Sequence, residues 1–224
     1  MCSPLLKWYI SLSLRKIRSI PTKLTLQLLT SEGPETIRYL KSLGKGVFLD
    51  LKLHEISNSV ASAIKSAGKH GVDIITIHAS GGQKMMAAAV EAAAEFPKMK
   101  VLALTVITGL SSEDLHEIGF SRSSNEQVLR LAKLAEHSGC HGVIASAQET
   151  QELRSILSPH MLIITPGIRP EGSESQDQHR VGTPFHAISS GASSIIVGRP
   201  ITQAENPSAS AKRINNQIIS AIKA

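Results

Sequence analysis

The amino-acid sequence predicts an α/β protein with the (β/α)8 architecture of a TIM barrel. Short runs rich in Ile, Leu and Val alternate with longer segments of helical periodicity, a pattern typical of parallel strands joined by right-handed crossovers. The chain has 224 residues, a length at which one α/β barrel forms a single domain. Aromatic residues make up only 3% of the chain, so we expect a core of aliphatic side chains packed between sheet and helices.

Strand, loop and helix follow one another regularly from residue 46 onward. Each predicted strand is a short apolar run, and each predicted helix carries apolar residues three or four positions apart, as Val60, Ile64 and Ala67 do in the first one. The predicted strands cover residues 46–51, 72–78, 101–107, 142–145, 161–165 and 194–197. The predicted helices cover residues 58–69, the Ala-rich segment up to 96, and residues 124–137, 147–157, 183–190 and 206–222.

Residues 1–30 are an atypical N-terminal segment of the one predicted domain, residues 1–224. Closure of an eight-stranded barrel requires two further strands, and residues 24–28 are the candidate for one of them. The other is harder to locate, because residues 1–20 have the pattern of a single amphipathic helix. Either residues 5–10 form an irregular opening strand or the first βα unit is incomplete.

Charge and composition limit the classes of partner. Lys and Arg number 24 against 18 Asp and Glu, a formal net charge of +6, which favours either a polyanion or a positive pocket for a small phosphorylated molecule. No cluster of five to eight basic residues occurs, and few aromatic residues are present to stack on nucleic acid bases. We therefore expect a small anionic ligand and no nucleic acid.

Cysteine content and hydropathy indicate the compartment. The only cysteines, Cys2 and Cys140, provide no disulfide framework and fit a reducing cytoplasm. The apolar run at residues 5–10 is interrupted by Lys7 and lacks a clear cleavage site, so no secretory signal is expected. No stretch approaches the roughly 18 apolar residues that a membrane span requires. We expect a cytoplasmic protein with no membrane partner.

Asp50 and Lys52 are the first candidate chemical groups. They lie two positions apart at the end of an apolar run, so on a strand they point to one face while Leu49 and Leu51 point to the other. A carboxylate beside an ammonium lowers the pKa of the acid and raises that of the amine, which gives a fixed anion and a charged proton donor. A surface ion pair on an exposed strand is the structural alternative.

Two later segments are candidates for binding phosphate, which barrels of this kind often hold after the last two strands. At residues 198–200, Gly198 can bring a backbone N–H close to an oxyanion, and Arg199 supplies a forked cation. Residues 166–178 form a long polar loop in which Arg169 and Gln178 are best able to reach phosphate oxygens. The alternatives are that residues 198–200 form a plain turn and that residues 166–178 are a surface insertion.

Seven motifs together resemble the bacterial type of orotidine 5′-monophosphate decarboxylase. They follow the order of that family, and the resemblance covers residue 30 to about residue 215. The motifs are FLDLKLHEISNS at 48–59, HASGG at 78–82, TVIT at 105–108, SAQE at 146–149, TPGIRP at 165–170, DQ at 177–178 and VGRP at 197–200. The resemblance implies a homodimeric barrel that needs no cofactor and converts orotidine 5′-monophosphate to uridine 5′-monophosphate and carbon dioxide in pyrimidine biosynthesis.

The resemblance also implies roles for particular residues. Lys52 would donate a proton to carbon six of the pyrimidine, Asp50 would lie against the substrate carboxylate, and Glu55 would be the acid that crosses the dimer interface. The histidines are spaced in no metal-ligand pattern, so no metal is expected. The substrate-binding residues would be Ser59, Thr108 near the pyrimidine, and Arg169, Gln178, Gly198 and Arg199 at the phosphate.

The sequence departs from the family pattern at catalytic positions. Glu55 and Ser59 stand where the family has Asp and Thr, and a carboxylate displaced by about 1 Å can lower the rate about a hundredfold. The family lysine of the second strand aligns with Leu26, and Lys23, three residues away, is expected to point to the wrong face. No counterpart of the family's first-strand Asp occurs in residues 1–20.

Three functional hypotheses remain open at this point. The first is a working decarboxylase that depends on Asp50 and Lys52. The second is a catalytically impaired relative that still binds a pyrimidine nucleotide. The third is another phosphosugar decarboxylase or synthase of the same superfamily, which would use magnesium; the loop at 165–170 and the DQ pair argue against it.

Overall fold

The computed structural model describes residues 9–13, 21–170 and 180–223, the first of these ranges as backbone. Eight strands form a closed barrel in which each strand pairs with the next along the chain and the last pairs with the first. Their bounds are β1 Tyr9–Ser13, β2 Thr22–Thr25, β3 Val47–Leu53, β4 Ile74–His78, β5 Lys100–Leu104, β6 Gly142–Ile144, β7 Leu162–Thr165 and β8 Ser194–Val197. The predicted barrel and its irregular first unit are confirmed.

Strand β1 is the irregular element. It runs antiparallel to both neighbours, with Ile10 opposite Thr22 of β2 and Val197 of β8, whereas β2 to β8 are parallel. A strand is needed here because the backbone N–H and C=O groups along β2 and β8 would otherwise lack ladder partners. The helix expected over 1–20 is therefore wrong for residues 9–13. The candidate strand 5–10 overlaps β1 only at its last two residues, and residues 1–8 and 14–20 lie outside the described residues.

The second strand ends earlier than its sequence pattern indicates. Strand β2 stops at Thr25 and helix α1, Leu26–Glu32, begins immediately. The leucines at 24, 26 and 28 alternate as in a strand, but Leu26 is 58% exposed and Leu28 is buried on the helix. The predicted strand over 24–28 is therefore wrong from Leu26 onward. Because Leu26 lies on the helix, its side chain does not enter the barrel.

The helices surround the barrel, and the longer ones match their predictions. The further bounds are α2 Glu35–Ser42, α3 Ser57–Lys69, α4 Gly82–Ala93, α5 Ser112–Glu117, α6 Ser124–His137, α7 Thr150–Ile156, α8 Pro184–Ser189, α9 Arg199–Thr202 and α10 Pro207–Lys223. Helix α5 lies in a segment expected to be a loop; Ser111 and Asp114 cap it reciprocally. No described helix is long and apolar enough to cross a membrane.

Side-chain alternation along the strands divides the core into two layers. A cluster inside the barrel takes alternate residues from β3 to β8: Phe48, Ile74, Leu102, Leu104, Ile144, Ile164 and Ile196. The intervening strand residues, such as Leu49 and Ile75, pack with the helices in the larger outer layer. Since Phe48 points inward and Leu49 outward, Asp50 points inward at the C-terminal end of β3. The predicted facing of Asp50 is confirmed.

Candidate active site

A cavity of about 530 Å³ opens at the C-terminal ends of the barrel strands. Its apolar floor includes Leu104, Ile144 and Ile196 from the inner core layer. The polar groups that line it include Lys23 and Thr25 of β2, Asp50 and Lys52 of β3, Thr108 after β5, Arg169 after β7, and Gly198 and Arg199 after β8. This is the end of a TIM barrel at which loops carry the chemistry. Six of the nine predicted site residues thus share one cavity.

The Asp50 carboxylate is the centre of the polar network. Its Oδ2 atom accepts hydrogen bonds from two ammonium groups, Lys23 Nζ at 2.6 Å and Lys52 Nζ at 2.8 Å. Its Oδ1 atom accepts a third from the Thr76 hydroxyl on the neighbouring strand β4, at 2.9 Å. All four side chains are thereby held in one geometry.

The two lysines control the ionisation of Asp50. Only 7% of the Asp50 side chain is exposed, and burial by itself would raise the pKa of this carboxyl. The positive charges of Lys23 and Lys52 and their hydrogen bonds outweigh burial and lower the pKa from 3.8 to about 2. Asp50 is therefore a fixed anion at neutral pH, as predicted from the sequence.

Lys52 occupies a strained backbone position. It is the only non-glycine residue with positive φ, at 52°, in the described part of the chain. The register between β3 and β4 shifts between Leu49 and Leu53, and the Lys52 N–H donates to Thr76 Oγ1 at 2.9 Å. Such left-handed residues cost roughly 1–3 kcal/mol and are found where surrounding contacts enforce a functional geometry. Here the bulge directs the Lys52 ammonium back toward Asp50.

The second-strand lysine is Lys23, contrary to the sequence alignment with Leu26. Register pairs Lys23 with Phe48 and Thr25 with Asp50, and residues paired across parallel strands point to the same face. Because Phe48 and Asp50 point inward, Lys23 does too, and 12% of its side chain is exposed. The expectation that Lys23 points away is therefore wrong. It assumed that Leu26 occupies the inward position on β2, whereas β2 ends at Thr25 and Leu26 lies on α1.

Two arginines, which follow β7 and β8, also line the cavity. Arg169 is buried, and its backbone N–H donates to Gly182 O at 2.9 Å, which closes the base of the long loop. Gly198 precedes α9, so Arg199 is its first residue, and Pro200 lies in its first turn, as the sequence predicts. These groups give the cavity a cationic region distinct from the Asp50 cluster.

Glu55 and Ser59 do not enter this cavity. Both are exposed and contact one another at the start of α3. The hydrogen bond from the Ser59 side chain, followed by one from the Ile56 backbone, lowers the pKa of Glu55. Glu55 instead lines a separate open surface cleft together with Lys84 of α4. The ninth predicted residue, Gln178, lies outside the described residues.

Two hydrogen-bond partners of Asp50, Lys23 and Thr76, were missed at the sequence level. Thr76 had a usable signal, since it is the one polar side chain between Ile74, Ile75 and Ile77 in a buried strand. A fully buried hydroxyl requires a hydrogen-bond partner, and Asp50 provides it. Lys23 was harder to predict, because the inward position on β2 could be assigned only if the end of that strand at Thr25 was known.

Histidines beside the site form no metal centre. His54 and His78 stack with ring centroids 5.3 Å apart. Burial, followed by the charges of His54 and Lys52, lowers the pKa of His78 to about 4, so this ring is neutral at pH 7. No group of three His, Cys, Asp or Glu side chains in the described ranges is placed to hold a metal ion.

The fold and the cavity define a (β/α)8 barrel with an ammonium–carboxylate cluster and two arginines at the C-terminal ends of its strands. Residues 19–214 match the Orotidine 5′-phosphate decarboxylase / HUMPS family. The chain belongs to this family, as the resemblance implied.

Relatives agree with this assignment. The orotidine 5′-phosphate decarboxylase of Idiomarina loihiensis is 47% identical over 197 residues, which cover 88% of this chain and 85% of the relative. That of Teredinibacter turnerae is 46% identical over 202 residues, covering 90% and 87%. The crystal structure of the orotidine 5′-phosphate decarboxylase from Lactobacillus acidophilus has a TM-score of 0.77 at 37% identity and covers 88% of this chain and 85% of that one.

The lowered pKa of Asp50 predicts a specific pH dependence of stability. Because the folded-state pKa of about 2 lies below the ordinary 3.8, the stabilisation is complete well above pH 4 and is lost as the pH falls toward 2. Between pH 6 and pH 3, the free energy of unfolding of the wild type should fall by about 1 kcal/mol more than that of Asp50→Asn. Urea titrations at both pH values measure this, and parallel decreases would contradict it.

Proposed function

We propose that this protein decarboxylates orotidine 5′-monophosphate to uridine 5′-monophosphate and carbon dioxide, a step of pyrimidine biosynthesis. The observation that carries the proposal is the Asp50 carboxylate held between Lys23 and Lys52 in the same cavity as Arg169 and Arg199. One end of the cavity offers a proton donor beside a fixed anion, and another offers cations suited to phosphate. The substrate carries a carboxylate and a phosphate at its two ends.

Lys52 would carry the chemical step. When the bond between carbon six and the carboxylate breaks, its electron pair stays on the ring carbon and carbon dioxide leaves. An ammonium already fixed beside that carbon stabilises the developing negative charge without having to reorganise. The Lys52 ammonium then gives a proton to carbon six, and the neutral amine regains one from solvent, through its 38% exposed side chain.

Asp50 and Lys23 would prepare Lys52 for that step. Asp50 holds the Lys52 ammonium in place at 2.8 Å. A carboxylate beside the substrate's own carboxylate also adds repulsion that is relieved when carbon dioxide leaves. Lys23, at 2.6 Å from the same oxygen, keeps Asp50 ionised and adds positive potential where the anionic substrate binds.

Phosphate recognition would supply binding energy away from the reacting carbon. Arg169, Arg199 and the backbone of Gly198 line the cavity, and by resemblance Gln178 joins them. Thr108, buried at the same cavity, would contact the pyrimidine. Binding energy from a remote phosphate can be used to order the reacting end of the substrate.

We further propose a homodimer in which Glu55 and Ser59 of each protomer complete the cavity of the partner. Both residues are exposed and outside the cavity of their own chain. Neighbouring Ile56 is 68% exposed, as expected of an apolar residue that a partner covers. We place this dimer in the cytoplasm without a nucleic-acid partner, on the basis of the cysteine content and the lack of a basic cluster.

The alternatives have less support. The hypothesis of an impaired relative relied in part on the missing second-strand lysine, and Lys23 occupies that role at Asp50. The hypothesis of another superfamily enzyme is less favoured because three relatives that are 47%, 46% and 43% identical to this chain are named orotidine 5′-phosphate decarboxylase.

Replacement of Lys52 tests the proposed function directly. We expect purified wild type to consume orotidine 5′-monophosphate, measured by loss of its ultraviolet absorbance, and Lys52→Ala to lower kcat by at least about 10³-fold, since proton donor and charge stabilisation disappear together. Lys65→Ala is the matched control, because Lys65 of α3 pairs with Glu95 in the turn after α4, and it should retain activity. A wild type that binds uridine 5′-monophosphate but leaves the substrate intact would refute the proposal.

Lys23 and Leu26 give a paired test of the second-strand lysine. We expect Lys23→Leu to lower kcat/KM by roughly 10²-fold, because Asp50 loses one of its two ammonium partners. Adding Leu26→Lys should not restore activity, since residue 26 lies on α1 and is exposed. Restoration by the second change would show that the family lysine belongs at position 26.

Subunit mixing tests the shared site. Lys52→Ala and Glu55→Ala should each have low activity alone. In a mixed dimer one cavity would contain both wild-type residues, so refolding an equal mixture should restore about a quarter of wild-type activity. No recovery, although mixed dimers form, would contradict the assignment of Glu55 to the partner's cavity.

A further inference from the structure

Arg180 is a buried arginine that the proposed chemistry does not use. It is 8% exposed, and its Nη1 atom donates to Glu149 Oε1 at 2.6 Å. Its Nη2 atom donates to two backbone carbonyls, Val106 O and Ile107 O, each at 3.1 Å. One guanidinium therefore contacts two loops, and its planar fork is suited to hold several acceptors in one fixed arrangement.

These contacts connect the ends of three strands around the cavity. Val106 and Ile107 follow β5 and lead directly into Thr108, and Glu149 lies between β6 and α7. On its own loop, Arg180 lies two residues before Gly182, which forms a bridge with Ile168 and whose carbonyl accepts the Arg169 N–H. Arg180 belongs to the same β7–α8 connection as Arg169, and its guanidinium links that connection to the loop carrying Thr108.

A contribution to the stability of the fold is a poor explanation for a buried ion pair such as Arg180–Glu149. Taking both charges out of water costs several kcal/mol, which their attraction often fails to recover. Glu149 Oε2 and Arg180 Nε have no hydrogen-bond partner within the described ranges, so the pair is only partly satisfied. Fixing the geometry of the surrounding loops is the better explanation.

We propose that Arg180 is a positioning residue that sets the Thr108 loop against the loop carrying Arg169, so that pyrimidine and phosphate contacts are made together. This inference deepens the proposed function and rests on it. Arg180 acts through the Val106 and Ile107 carbonyls, and Glu149 holds its guanidinium in place.

The experiment measures the affinity of the full chain for uridine 5′-monophosphate by calorimetry. Arg180→Lys keeps the charge near Glu149, but a single ammonium cannot reproduce the fork, so we expect affinity to fall about tenfold or more. Glu149→Gln combined with Arg180→Met removes both charges and leaves no buried ion unpaired; it should show a similar loss. Glu149→Gln alone keeps the carbonyl contacts and should change affinity less than about threefold.

Arg154→Met is the matched control. Arg154 also donates to backbone carbonyls, including Met161 O at 2.9 Å and Gly191 O at 3.4 Å. These carbonyls precede β7 and β8, so they lie at the end of the barrel opposite the cavity. Arg154→Met should lower the melting temperature without weakening nucleotide binding by the folded protein.

A double-mutant cycle separates positioning from general damage. If Arg180 acts through the Thr108 loop, Thr108→Val should cost several-fold less affinity in the Arg180→Lys background than in the wild type. Additive losses, or wild-type affinity in Arg180→Lys, would overturn the inference. The wild type is also assayed for turnover. Nucleotide binding without turnover would refute the proposed decarboxylase activity but not the inference about Arg180, because the double-mutant cycle is measured by nucleotide affinity.

Discussion

The contact between the Asp50 carboxylate and two ammonium groups is the interaction on which the site depends. A carboxylate buried at the end of a barrel strand would be protonated or excluded without opposite charge. Lys23 and Lys52 supply that charge at 2.6 and 2.8 Å, and Asp50 in return keeps both side chains from extending into solvent. The arrangement couples three residues from two strands, so replacing any one of them changes the surroundings of the other two.

The barrel brings further functional groups to the Asp50 cluster, because it fixes the positions of the other strand ends. Parallel strands place their C-terminal ends on one rim, so groups distant in sequence, such as Asp50 and Arg199, line the same cavity. The apolar floor excludes water beneath the cluster, which strengthens the electrostatic interactions above it. The positive φ of Lys52 is the local strain that this arrangement requires.

Much of this could be predicted from the sequence, and the failures have physical causes. The alternation of strands and helices and the inward facing of Asp50 are local properties of the chain. The antiparallel β1 depends on pairing with β8, almost the whole chain away, which no local pattern encodes. Lys23 was misjudged because a strand pattern and a helix start overlap at residues 24–28. Glu55 lies outside the cavity of its own chain, and the role proposed for it depends on a second protomer, which one chain's sequence pattern does not encode.

The most direct measurement of the central claim is a crystal structure of the protein with uridine 5′-monophosphate. The account predicts that the Lys52 ammonium lies within about 3.5 Å of carbon six while the phosphate contacts Arg169 and Arg199. A nucleotide bound in the opposite orientation, or a Lys52 side chain directed away from the pyrimidine, would contradict it.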